Sequence, residues 1–184
     1  MLNETAFMQW CEDLQLPPVA RRKITDIRCG DPARLVRSGP KNTPGRYPSR
    51  KMGVTIQFES GTVEYTAAVA MEYDDDVLEF YDQPETFKLA YRDRSGRRIG
   101  HLHTPDFFVL RRDGACWEEW KPTDKLLELA AKSPYRYERV DDGTWRCPPG
   151  EEYATRFGLA YRVRTSDEID WVHHRNLEWL ADYR

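Results

Sequence analysis

The chain has 184 residues, 32 % of them charged, 12 % aromatic and 40 % hydrophobic, with a formal net charge of −3. That length suits one globular domain with a real core. The near-balanced charge excludes a whole-chain basic field for nucleic acid, so any such surface has to be a local patch. The first residues, MLNETAFMQWCEDL, mix acids with apolar positions and do not form a signal peptide. No apolar run approaches a membrane span, so a soluble, intracellular protein is expected. Cys11, Cys29, Cys116 and Cys147 are widely spaced without a Cys-x-x-Cys pair, which disfavours a zinc ribbon and suits a reducing compartment.

In chain order, residues 3–15 read as a short amphipathic helix ended by Pro17-Pro18. From Ala33 to Phe58 there is no acidic residue, whereas Arg34, Arg37, Lys41, Arg46, Arg50 and Lys51 all fall there among Gly and Pro. This stretch is expected to be an extended basic arm; alone it would pass for a solvated loop, and its charge also suits contact with phosphates. Residues 61–73 are expected to be helical. Residues 77–81 and 86–91 are expected to be strands separated at Gln83-Pro84.

Residues 104–110 and 115–121 form a hairpin expectation, with Asp113-Gly114 at the turn. A helix is expected over 123–139, N-capped by Thr123. Residues 140–156 are turn-rich and unassigned. A strand is expected at 159–163, and Thr165-Ser166-Asp167-Glu168 is a capping-box pattern opening a last helix through Trp171, Leu177, Leu180 and Tyr183. This order gives an α/β class, a mixed central sheet flanked by helices. The helix and basic arm of residues 1–58 are expected to pack on a core of residues 59–184 within a single domain.

The chemistry is concentrated in HTPDFFVLRRDGACWEEWKP, residues 103–122. A two-residue Asp113-Gly114 turn would oppose Asp106 to Lys121, and a four-residue loop would oppose Asp106 to Glu119. Directly opposed residues share a side of the sheet, and Glu119 and Lys121 are two apart, so all three converge on one face in either register. Such carboxylates are costly in an apolar setting unless paired or metal-bound. Hard oxygen ligands suit Mg²⁺, with Mn²⁺ able to substitute. A bound Mg²⁺ polarises a phosphodiester and helps activate water, while the lysine steadies charge. The D-x(n)-E-x-K spacing is weak by itself and also fits a plain Asp–Lys cross-strand salt bridge.

A fourth carboxylate adds weight. Glu64, Ala67, Ala68 and Met71 form an i, i+3, i+4, i+7 stripe, so an acid sits on the inward side of a small-residue helix. His101-x-His103 offers too few ligands for zinc, and His173-His174 read as surface or packing residues. No P-loop, nucleophile elbow or dinucleotide fingerprint is present.

Taken together, Glu64 on a helix, Tyr81-x-Gln83-Pro84, Pro105-Asp106, Glu119-x-Lys121-Pro122 and a C-terminal segment ending NLEWLADY resemble the TnsA family, endonuclease subunits of heteromeric transposases. The resemblance runs from the basic arm to the end of the chain. It implies a restriction-endonuclease-like, PD-(D/E)xK fold and Mg²⁺-dependent cleavage of the 5′ strands at transposon ends in double-stranded DNA. It implies two partners, a TnsB-like integrase-type transposase and a TnsC-like AAA+ ATPase, and a bacterial cytoplasmic setting at the nucleoid. Glu64, Asp106, Glu119 and Lys121 match the family's catalytic positions, with Asp106, Glu119 and Glu64 as metal ligands and Gln83 a further site residue. Arg46, Arg50 and Lys51 are expected to bind DNA. A family member carries Gln at the position of Glu119, and some members carry a further C-terminal helical domain, so the chain is expected to be either a short form or truncated. The other readings are a stand-alone restriction or repair nuclease and a catalytically idle DNA-binding assembly subunit.

Overall fold

The computed structural model describes residues 1–37, 43–93 and 95–181, with the side chain of residue 181 excepted. Lys41 and Tyr183 therefore lie outside the described residues. The core is a six-stranded mixed sheet of spatial order β3-β6-β7-β10-β9-β8, built from β3 (Val77–Asp82), β6 (Phe107–Arg111), β7 (Gly114–Lys121), β8 (Glu138–Arg139), β9 (Trp145–Arg146) and β10 (Ala160–Thr165). β10 runs parallel to β7, and the other neighbours are antiparallel. A parallel pair needs a long crossover. Here it is supplied by α4 (Thr123–Lys132), the β8–β9 pair and α5 (Pro148–Thr155).

The sheet is apolar on both sides, as a central pair covered on both faces must be. One face buries Phe108, Leu110, Ala115 and Trp117 against α1 (Glu4–Asp13), α2 (Pro18–Cys29), α4 and α5. The other buries Phe107, Val109, Phe80 and Trp120 against α3 (Val63–Tyr73). The small side chains of Ala67 and Ala68, both buried, let α3 lie close to the strands. α6 (Trp171–Ala181) packs along α3.

Several elements differ from the sequence reading. The first helix already ends at Asp13, ahead of Gln15 at positive φ, and Pro17-Pro18 instead begins another, because Pro18 at the first helical position has a suitable φ and no orphan N–H to satisfy. The basic arm is not simply extended. Residues 45–58 form a two-stranded hairpin, β1 (Gly45–Ser49) and β2 (Val54–Phe58), whose Met52 and Ile56 are buried in the α3-side core and whose Phe58 is buried beside Tyr65 of α3. The helix expected over 123–139 stops at Lys132, before Ser133-Pro134, since the residue preceding a proline is pushed out of the helical region. The capping box at Thr165–Glu168 is formed, but it closes a short 3₁₀ turn that precedes α6.

The β6–β7 hairpin turns at Arg112-Asp113, because Arg111 pairs with Gly114. Arg112 anchors that turn through its backbone N–H to the Asp76 carbonyl (3.1 Å) and its Nε to the Asp75 carbonyl (3.1 Å). The resulting register pairs Phe107 with Glu118, and continued by one residue it opposes Asp106 to Glu119. That is the second of the two registers considered from the sequence. Because the registers differ by two, side-chain parity is conserved and the shared face of Asp106, Glu119 and Lys121 survives.

Candidate active site

Asp106 sits immediately before β6, where the end of β3 meets it: the Gln83 backbone N–H donates to the Asp106 carbonyl at 3.0 Å. One carboxylate oxygen, Oδ2, accepts the Trp120 backbone N–H at 2.7 Å and lies 4.0 Å from the Lys121 ammonium. Lys121 is 3.0 Å from Glu119 Oε1. Glu64 enters from α3, and its Oε2 accepts the Glu59 backbone N–H at 2.7 Å. Glu64, Asp106 and Glu119 are all buried, whereas the Lys121 side chain keeps 23 % of its surface exposed. The helix, the start of β6 and the end of β7 therefore deliver their charged groups to one end of the sheet.

These carboxylates are not equivalent. Burial, and then the neighbouring Asp106, push the Glu64 carboxyl up to about 8. Burial also pushes Asp106 up to about 6; Lys121 opposes the rise and Glu119 adds to it. Burial would raise Glu119 too, but Lys121, His103, Tyr137 and Arg136 overcome it and hold that carboxyl well below the usual range. Lys121 is in turn raised by Glu119 and Asp106 against its own burial. The cluster thus holds one firm anion paired to one firm cation, one carboxyl, Glu64, that keeps its proton at neutral pH, and a second, Asp106, whose proton affinity is raised less.

Glu119 is anchored by residues that the sequence did not single out. Tyr137 Oη donates to its Oε1 at 2.6 Å and Tyr161 Oη donates to its Oε2 at 2.8 Å. Tyr161 has spent its only proton on Glu119, so it accepts at 2.7 Å from His103 Nε2. His103 Nδ1 then accepts from Arg136 at 3.2 Å. This chain specifies a neutral imidazole with its proton on Nε2. Burial, the largest influence, lowers the His103 pKa to about 4, in keeping with that form. Tyr137 lies at the far end of the helix expected over 123–139 and Tyr161 on a strand face; no spacing marks them in advance. His103 gave the one available signal, by preceding Pro105-Asp106.

The residues present fit a hard divalent cation. No hydrogen bond among the described residues uses Asp106 Oδ1 or Glu64 Oε1, and burial raises the proton affinity of both carboxyls, which a cation would offset. No group of three or more His, Cys, Asp or Glu among the described residues is already gathered in a metal-binding arrangement, because Glu119 turns its oxygens to Tyr137, Tyr161 and Lys121.

The family model described as TnsA-like endonuclease N terminal matches residues 74–166, half of the chain. The chain belongs to the TnsA-like endonuclease family. The matched segment contains Gln83, Asp106, Glu119 and Lys121 and leaves Glu64 outside it. No curated protein sequence matches the chain. The six-stranded mixed sheet flanked by helices is compatible with the restriction-endonuclease-like fold. A TnsA-like domain is a nuclease of the transposon-associated kind. Among the described residues no helix is long and apolar enough to cross a membrane.

Other expected site residues of this TnsA-like domain are placed as follows. Gln83 is fully buried at φ 45°, accepts from Arg34 Nε at 2.6 Å through its Oε1, and leaves its Nε2 without a partner among the described residues. Arg34 also pairs with Glu59 at 2.9 Å, so the first part of the basic segment reaches the rim of the site. Arg46 is exposed on β1 and Arg50 is exposed at the hairpin turn. Lys51 departs from the expectation. Its ammonium donates to the carbonyls of Met71 (2.8 Å), Asp74 (2.6 Å) and Val77 (2.8 Å). It caps the C-terminal end of α3, where orphan carbonyls need a donor, and is not turned outward for phosphate. His174 is buried on α6 beside Thr66 and the Tyr65 ring, a packing role.

Proposed function

We propose that this TnsA-like domain is a Mg²⁺-dependent endodeoxyribonuclease that cuts the 5′ strand at transposon ends. In this reading it works with a TnsB-like transposase and a TnsC-like ATPase, in the bacterial cytoplasm. The observation that carries the proposal is the convergence of two buried carboxyls with raised proton affinity, Asp106 inside the family's matched segment and Glu64 before it, on the Glu119–Lys121 ion pair.

Asp106 and Glu64 would hold the metal, Mg²⁺ or Mn²⁺ in its place. Glu119, expected from the sequence as a third ligand, has each oxygen engaged by a tyrosine and one also by Lys121, so in this reading it serves first as the anion that fixes Lys121. The bound cation supplies polarisation of the phosphodiester and a lower pKa for the attacking water. Lys121, partly exposed between Glu119 and Asp106, neutralises charge developing on the phosphate. Gln83 and Arg34 line the rim, and Arg46 and Arg50 face outward toward the DNA backbone.

The test is cleavage of end-containing plasmid with Mg²⁺ and the transposase present. Wild type should nick at the 5′ ends, and Asp106→Asn should lose at least a thousandfold in rate. Equal cutting by the two would overturn the site. Equal cutting of end-containing and plain plasmids without the transposase would favour a stand-alone nuclease instead.

A further inference from the structure

The segment leading into the active site forms a two-stranded hairpin, β4 (Phe87–Arg92) and β5 (Arg98–His103), separate from the main sheet. In sequence, residues 86–103 hold five basic residues, Lys88, Arg92, Arg94, Arg97 and Arg98, against the single acid Asp93. Arg94 lies outside the described residues. In a chain of net charge −3 this is a strong local excess.

The register sorts these residues by face. Phe87 pairs with His103, Leu89 with His101 and Tyr91 with Ile99, and Phe87 and Leu89 bury that side in the core. The opposite side pairs Lys88 with Leu102, Ala90 with Gly100 and Arg92 with Arg98, all exposed. The small Ala90 and Gly100 leave a groove of about 520 Å³ between the basic ends. The Lys88 side chain lies over Gly100, where any Cβ would collide with it. The acid lining this groove, Glu152, is paired to Arg156 at 3.3 Å, and Asp93 is turned into its own loop by hydrogen bonds from Ser95 and Arg97.

The root of the hairpin is fixed to the catalytic centre, since His103 touches both Tyr161 and Glu119. At about 3.3 Å per strand residue, Arg98 lies roughly 17 Å from His103, or about five base pairs along a duplex at 3.4 Å each.

We infer that the exposed face of the β4–β5 hairpin is a duplex-DNA docking surface that grips backbone phosphates about half a helical turn from the cut. The inference rests on the nuclease reading for its choice of partner. Lys88, Arg92 and Arg98 supply the positive charge that meets the phosphates, and the small Ala90 and Gly100 let the Lys88 stem lie flat so that no bulky side chain stands between the backbone and these charges.

The test is fluorescence anisotropy with a labelled 30-base-pair duplex over a range of salt, in the Asp106→Asn background so that the DNA stays intact. Lys88→Glu/Arg92→Glu/Arg98→Glu should bind at least tenfold more weakly at 100 mM salt. Its slope of log affinity against log salt should flatten by about 0.9 for each phosphate that is no longer neutralised. A control triple of equal charge change on exposed positions elsewhere, Arg22→Glu/Lys132→Glu/Arg139→Glu, should keep its slope within about 0.9 of the parent's, the worth of one phosphate. Thermal unfolding checks that the hairpin triple is folded; if it is not, the Gln triple at the same positions is read instead. Equally weakened binding by both triples would overturn the inference, as would a parent that does not bind duplex. Asp106-dependent cleavage with a hairpin triple that binds like the control would leave the nuclease standing and remove the hairpin's role.

Discussion

At the scale of single residues, the division of labour among the carboxylates makes two predictions. Glu119 accepts from two tyrosines and pairs with Lys121, while Asp106 and Glu64 keep free oxygens. Glu119→Gln preserves the shape and an acceptor oxygen, so it should bind Mn²⁺ within about threefold of wild type. Its cleavage rate should fall only about tenfold, a barrier change of about 1.4 kcal/mol. Asp106→Asn should lose at least tenfold in Mn²⁺ affinity. Titration calorimetry compares them, and equal metal loss in both variants would make Glu119 a ligand after all.

The second prediction concerns pH. The folded pKa of Glu64, about 8, lies above its unfolded value, so the folded state binds the extra proton. That stability is fully present below the unfolded pKa and is lost as pH rises through about 8. His103 has the opposite sign, being depressed to about 4, and its contribution changes only below about 6.5. Between pH 6.5 and 8.5 the metal-free protein should therefore lose stability, at about 1.4 kcal/mol for each pH unit in which Glu64 holds its proton only when folded. Glu64→Gln should flatten the profile and saturating Mg²⁺ should lift its alkaline end. A wild-type melting temperature independent of pH in this window would refute the assignment.

At the scale of elements, the clearest consequence comes from the end of α3. Glu72 accepts the backbone N–H groups of Arg50 (3.0 Å) and Lys51 (2.9 Å), while Lys51 returns three hydrogen bonds to carbonyls around the helix end. The β1–β2 turn and α3 thus cap one another, and α3 carries Glu64. Lys51→Met should cost about 1.5–3 kcal/mol, the worth of hydrogen bonds to a charged group. For a chain of this size that corresponds to a melting temperature lower by roughly 3–12 °C. DNA affinity of the folded variant should be unchanged; a loss like that of a phosphate-contacting lysine would restore the sequence-based role.

The same segment shows what could be read in advance. Asp106, Glu119 and Lys121 share a face because strand parity is local and survives a two-residue change of register. Glu64 was visible because a helical stripe of small residues is also local. The contacts of Lys51 were not legible, because composition reports the charge and not the carbonyls that await it. α2 and β5 were missed because Pro17-Pro18 resembled a stop, and because Arg97, Arg98 and Gly100 mask the strand pattern. The Tyr137–Glu119–Tyr161 contacts join positions 18 and 42 residues apart, so they depend on tertiary placement that no window of sequence contains.

At the scale of the whole molecule, the division into residues 1–58 and 59–184 describes order along the chain better than separable parts. Phe7, Trp10, Ile24 and Ile27 belong to the same core as Phe108, Leu110 and Trp117. Polar contacts tie the layers further. Trp10 Nε1 donates to the Arg111 carbonyl at 2.9 Å, and Arg28 pairs at 2.9 Å with Glu79, which is fully buried in β3. Removing residues 1–29 would uncover one face of the central strands and leave Glu79 a buried charge without its guanidinium. Each apolar side chain removed from the core is worth roughly 1.5–3 kcal/mol, and an unpaired buried charge adds about 3–5 kcal/mol. Four such side chains and one such charge match or exceed the roughly 5–15 kcal/mol that typically separates folded from unfolded domains. Residues 30–184 expressed alone should therefore show no cooperative thermal transition by circular dichroism and no metal-dependent stabilisation, even though the matched family segment and all four proposed catalytic residues remain in them. A cooperative transition in that fragment, with Mg²⁺ raising its midpoint, would show that the nuclease core stands without its N-terminal helices.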